Sequence, residues 1–179
     1  MKKESIEMHV MWHIDQLMQP FPVTIVTTTD ETGTVNAAPF SLVMPFCSSP
    51  QNPQMLLIVN KNWHTAKNIE ATGEFVLNYP RADQLKDITE ASRHYDREVN
   101  ELELSNTRYT AIPSTCVTPP RIMECYQHIE CRVREIIRPS QSQINIIADV
   151  LNVSLDDGLY EIPRVATCAD SQCTDLSWR

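Results

Sequence analysis

The stretch VTIVTTTDETGTVNAAPF, Val23 to Phe40, decides how the rest of the chain folds. Its first seven residues are mostly β-branched, which suits a pleated strand. DETG follows, and Gly33 supplies the turn conformation that other residues resist. TVNAAPF then resumes an extended run, so the stretch predicts a β-hairpin. Downstream, LVMPF (42–46) contains Pro45, which removes a ladder donor and predicts an edge or a bend. MLLIVN (55–60) is a continuous apolar run and predicts a buried strand. EFVLNY (74–79) predicts another. HIECRVREII (128–137) alternates apolar and polar residues, the period of a half-buried strand. INIIADVLNVSLD (144–156) is similar and predicts a strand-pair element.

Helical signals are fewer. In KNWHTAKNIEATG, Thr65 is placed to cap AKNIEAT, and Gly73 is placed to stop it. The charged segment from Arg81 to Leu104 predicts one or two helices, followed by the Pro-rich connector TAIPSTCVTPPRI. PRVATCADSQCTDLSWR at the end has no period and predicts a loose tail. About six strands with two or three short helices, and no βαβ alternation, predict a mainly β fold, an antiparallel barrel with added helices.

Composition narrows the function. With 179 residues, one domain is expected. The net charge of −8 argues against a general nucleic-acid grip, which needs clustered Lys and Arg. No run reaches the roughly 18 apolar residues of a membrane span. MKKESIEMHVMWHID has no continuous apolar core, so no signal peptide is expected, and the six cysteines read as reduced thiols of a cytoplasmic protein. There is no G-x-S-x-G, P-loop or G-x-G-x-x-G, so hydrolase, nucleoside triphosphatase and Rossmann readings lack support.

The start of the Thr65 helix is a candidate anion site. A helix N-terminus leaves N–H groups unpaired and its dipole favours negative charge. Thr65 would add a hydroxyl, His64 a donor, and Lys61 and Lys67 charge; ordinary capping is the commoner use of such a residue. Trp63 suits stacking on an aromatic ligand but equally a hydrophobic anchor. Cys47 is a candidate redox thiol, although free cysteines mostly serve as small buried hydrophobes. Cys168 and Cys173, even with Cys125 and Cys131, lack the tight pairs of a zinc site, and His9 and His13 share a helix face with no Glu motif between them, so no metal is expected.

Four pieces in order, VTIVTTTDETGTVNAAPFS, SSPQNPQMLLIV, HTAKNIEATGEFVLNYP and ELELSNTRYTAIPS–PPRI, resemble the flavin reductase-like family from about Phe21 to Ile137. The family's Asn-Ala-Ala-Pro-Phe-Ser strand is matched by Asn36 to Ser41, and its Ser-Ser pair by Ser48 and Ser49. Its Lys-Asp-Thr-x-x-Asn-Ile helix start is matched in part by Thr65, Asn68 and Ile69; Trp63 and His64 stand where Lys and Asp are usual, so Lys61 or Lys67 would supply the cation.

The resemblance implies an antiparallel Greek-key split β-barrel over residues 1–160 with a C-terminal tail at 161–179. It implies a homodimer and FMN near the dimer interface. Asn36, Ala37, Ala38, Ser41, Cys47, Ser48 and Ser49 would line the flavin. Lys61, Trp63, His64, Thr65, Lys67 and Asn68 would surround its phosphate. It further implies reduction by NADH or NADPH and transfer to a small-molecule or protein acceptor, with no catalytic dyad because the cofactor carries the redox chemistry. Two alternatives stay open: an FMN electron carrier that does not use nicotinamide, and a flavin-free thiol or ligand-binding barrel.

Overall fold

The structure is a computed structural model; it describes residues 21–157 and the backbone of two strands at 164–167 and 173–176. The His9/His13 pair and the side chains of Cys168 and Cys173 lie outside the described residues. The predicted hairpin forms: β1 (Thr24–Thr29) pairs antiparallel with β2 (Val35–Phe40), Thr29 opposite Val35 and Thr24 opposite Phe40. Its turn is held by Asp30, whose Oδ1 accepts from the Thr32 and Thr34 N–H groups, both at 2.9 Å. Gly33 takes φ 90°, where a side chain would strain the backbone.

β3 (Val43–Cys47), β4 (Gln54–Asn60), β5 (Glu74–Tyr79), β8 (Gln127–Ile137) and β9 (Gln143–Leu155) join them in one antiparallel sheet, ordered β2-β1-β5-β8-β9-β4-β3. Two residue pairs, β6 (Ala111–Ile112) and β7 (Arg121–Ile122), form a short separate ladder. Pro45 sits on edge strand β3, beside a register shift, as its missing donor requires. The strand-pair element expected at 144–156 is the 13-residue strand β9, which pairs with β8 on one side and β4 on the other. The stretch expected to be a loose tail contains β10 (Arg164–Thr167) paired antiparallel with β11 (Cys173–Leu176).

The curled sheet has two buried faces, forming the mainly β split-barrel architecture. Inside lie Val26, Leu57, Val59, Phe75, Leu77, Ile144 and Ile146, closed by Ala66 and Ile69 of α1 (His64–Thr72). Outside β1 and β2, Ile25, Val35 and Ala37 are covered by α2 (Leu85–Ala91) together with Leu102, Tyr109 and Ile122. Burial on both faces explains why β1 reads as a run without alternation. The polar residues of that run are matched. Asn78, buried on β5, donates to the Ile25 carbonyl (3.0 Å) and Thr27 Oγ1 (3.1 Å) and accepts from the Ile122 N–H (2.9 Å).

Among the described residues no helix is long and apolar enough to cross a membrane, no cluster of His, Cys, Asp or Glu is arranged to hold a metal, and the four cysteines are free.

Candidate functional site

α1 begins two residues earlier than its sequence suggests. Trp63, with φ −74° and ψ 153°, is the N-cap, and no side chain caps the first turn. The first helical bond runs from the Lys67 N–H to the Trp63 carbonyl, so the N–H groups of His64, Thr65 and Ala66 precede the ladder. Thr65 is therefore not the cap. It is 1% exposed and its Oγ1 accepts from Asn36 Nδ2 at 3.0 Å. One turn on, Asn68 Nδ2 donates to Thr28 Oγ1 at 3.1 Å. These two Asn–Thr pairs fix the helix start against β1 and β2. Gly73 stops the helix as expected, at φ 73° with its N–H on the Ile69 carbonyl.

Beside this helix start runs a groove of about 340 Å³. One wall is Asn36 and Ala38 of β2. Trp63, His64 and Thr65 line its helix end, and the segment Ser92–Tyr95 with Glu101 forms the opposite side. Trp63 is 46% exposed, its ring 5.8 Å from that of Phe40. Arg93 and Tyr95 are both held by the Glu90 carboxylate, at 3.0 and 2.9 Å.

Glu101 is the group that the sequence reading missed. β2 is an edge strand, so alternate N–H groups along it point away from β1. Ala37 carries one such donor, and Glu101 Oε2 accepts it at 2.7 Å. Pro39 follows two residues later on the same side and has no donor to satisfy. Glu101 is held there by a short 3₁₀ turn, Glu101–Glu103, which Asn100 caps by accepting from the Leu102 N–H, and by Leu102 in the outer core. Only 7% of the residue is exposed. Burial pushes its carboxyl up to about 7, against the pull of the Ala37 N–H. The only local signal was an acidic residue after Asn100, which is common on solvated surfaces.

The structure thus brings together five of the expected residues: Asn36, Ala38, Trp63, His64 and Thr65. Ala37 faces the outer core and reaches the site only through its N–H. Asn68 is buried behind the helix start. Lys61 and Lys67 are exposed and do not line the groove, and neither do Ser41, Cys47, Ser48 and Ser49 on and around edge strand β3. Ser49 Oγ is hydrogen-bonded to Gln51 within its own turn. The cation that lines the groove is Arg93, with the imidazoles of His64 and His94 beside it; Arg93 and His94 were not among the expected residues.

A curled antiparallel sheet closed by a helix whose first turn opens on a groove defines the class of split-barrel domains. Residues 18–168 match the family described as flavin reductase like domain, and the chain belongs to that family of flavin-linked oxidoreductases. An uncharacterised protein of Methanothermobacter thermautotrophicus is 33% identical over 146 residues, covering 79% of this chain and 66% of its own length. The chain therefore spans about two thirds of that relative. Among solved structures, 2-nitrobenzoate 2-nitroreductase NbaA of Pseudomonas fluorescens superposes with a TM-score of 0.84 at 20% identity, covering 98% of this chain and 90% of that one. Flavoredoxin of Desulfovibrio vulgaris gives 0.81 at 18% identity, covering 100% and 95%. At such identities the likeness is one of fold.

The groove residues suit part of a flavin. Ligand pockets are mostly apolar clefts of roughly 300–1,000 Å³ with a few placed polar groups, and this one lies at the small end of that range. Trp63 and Phe40 offer an aromatic wall, α1 offers unpaired N–H groups, and Glu101 presents a carboxyl oxygen, Oε1, that no donor meets among the described residues.

Proposed function

We propose that the chain is an FMN-binding flavoprotein that accepts electrons from NADH or NADPH. The observation that carries this reading is the first turn of α1, uncapped by any side chain and opening on a groove beside an exposed indole. The N–H groups of His64, Thr65 and Ala66 would hold the flavin phosphate, with Arg93 supplying nearby positive charge and the His64 and His94 imidazoles further donors. Trp63 would shield one side of the ring system, and Asn36 would hold the Thr65 hydroxyl at the phosphate end, the hydroxyl's own proton left to donate there. When bound, the flavin supplies hydride acceptance and onward electron transfer. The chain's own work is to bind the phosphate, orient the ring and limit water around it.

A second copy of the chain completes the proposed site. Leu151, Val153 and Leu155 alternate along β9 on one face, and Val153 is 47% exposed. Three exposed apolar side chains in a row favour burial against a partner. The groove of one chain is also small for a whole flavin, which favours a homodimer with the cofactor near its interface. Light scattering is expected to give twice the chain mass, and a monomer that binds FMN fully would count against the shared site. Cytoplasmic residence and a small-molecule or protein acceptor complete the proposal.

A binding titration tests it. FMN is expected to bind at micromolar or lower concentration, and NADH or NADPH to bleach it. Thr65→Val deletes the hydroxyl and leaves the buried Asn36 amide without its acceptor. FMN affinity is expected to fall about tenfold, the worth of roughly one charge-assisted hydrogen bond, while riboflavin, which lacks the phosphate, changes little. Equal losses for both would place the phosphate elsewhere.

A further inference from the structure

Glu101 sits in a groove proposed for an anionic ligand, and its placement is unlike that of the other acids near it. Glu90 is neutralised by Arg93 and bonded by Tyr95. Glu103 is exposed and accepts from Asn100 Nδ2 at 2.9 Å. Glu101 has one oxygen fixed on the edge of β2 and the other on the groove wall, with no ion pair among the described residues. Asn36 and Ala37 are consecutive, so the strand residue that feeds Thr65 at the helix start adjoins the one that holds Glu101.

We infer that Glu101 is a ligand-linked proton exchanger: it takes up a proton when an anionic ligand enters the groove and releases it when the ligand leaves. The physical reason is that a buried carboxylate with no ion pair of its own repels a phosphate in the same small groove while both are charged. Of the two, the carboxyl is the one whose protonated form the site already tolerates. Protonated, Oε1 becomes a donor toward the ligand, while Oε2 keeps its bond from the Ala37 N–H. The other titratable groups facing this space are His64 on α1 and Arg93, His94 and Tyr95 after α2; β2 contributes none. Arg93 and Tyr95 are already engaged by Glu90, so the histidines are the groups that a control must cancel.

The inference rests on the proposed flavin-phosphate site, and one set of measurements separates the two. Wild type and Glu101→Gln are titrated with FMN and with riboflavin between pH 7 and 9. The glutamine keeps a carbonyl for the Ala37 N–H and cannot titrate, and the histidines act alike in both proteins. Wild-type affinity for FMN is expected to fall about fivefold over this range, as for one proton whose site gains roughly one unit on binding. The difference should vanish in Glu101→Gln and with riboflavin. Calorimetry of wild type near pH 7, in two buffers of different ionisation enthalpy, should show fractional proton uptake with FMN, and it needs no variant. The same pH profile in wild type and Glu101→Gln, or no proton uptake by wild type, overturns the inference and leaves the flavin site standing. Failure of FMN to bind at any pH overturns both.

Discussion

Replacing Glu130 by alanine is expected to lower the melting temperature by roughly 10 °C, taking about 3–5 kcal/mol for breaking a buried charged network and 2–4 °C per kcal/mol at this chain size. Glu130 is fully buried on β8. Its carboxylate accepts from the Thr115 N–H at 3.0 Å, the Cys116 N–H at 2.6 Å and Asn152 Nδ2 at 3.1 Å, with the Arg121 guanidinium 3.8 Å away. It thereby fastens the Pro-rich connector to the sheet. Alanine would orphan two backbone donors and leave Arg121 without its partner. Glutamine, with one carbonyl to offer, should lose about half as much.

Burial opposes ionisation of this carboxyl, but the Thr115 and Cys116 N–H groups and the Asn152 amide outweigh it, so it titrates below the ordinary glutamate range. A lowered folded value means that the stabilisation is complete above the unfolded value and is lost as pH falls through the lower folded one. The gap between wild type and Glu130→Ala should therefore begin to narrow below about pH 4 and close as pH falls through the folded value. Thermal unfolding at pH 7 and at pH 3 measures both effects; an unchanged melting temperature at pH 7 would refute the clamp.

Asn78→Ala is expected to cost about 3 kcal/mol, because the Ile122 N–H loses its acceptor inside the protein and the Ile25 carbonyl loses a donor. Asn78 is fully buried and ties β5, β1 and β7 with one side chain. The loss should appear in chemical denaturation as a lower midpoint with an unchanged slope, since the folded surface stays the same. A loss below about 1 kcal/mol would mean that water replaces the amide.

Much of the sheet was legible in the sequence for local reasons. The hairpin announces itself through β-branched residues around Asp30 and Gly33, the edge strand through Pro45, and the helix stop through Gly73. The helix start was misplaced because a threonine near it looked like a cap, whereas Thr65 is spent on Asn36 of a strand 29 residues earlier. β9 was legible at nearly its full length, because its polar residues, Asn145, Asp149 and Asn152, interrupt the apolar run without ending the strand. Glu101 was invisible for a different reason. Its burial comes from the edge of β2, 64 residues away, and no pattern around ELE records that edge. Arg93 and His94 were missed likewise: they come to line the same groove as the helix start only after α2 is packed on the outer face of the sheet.

The most direct test of the central claim, that the start of α1 receives a flavin phosphate, is to follow backbone amide resonances during titration with FMN. The account predicts that the His64, Thr65 and Ala66 amides shift most, and that riboflavin leaves them nearly still while perturbing the Trp63 indole. Saturation with FMN that moves other amides and leaves these three unchanged would contradict it.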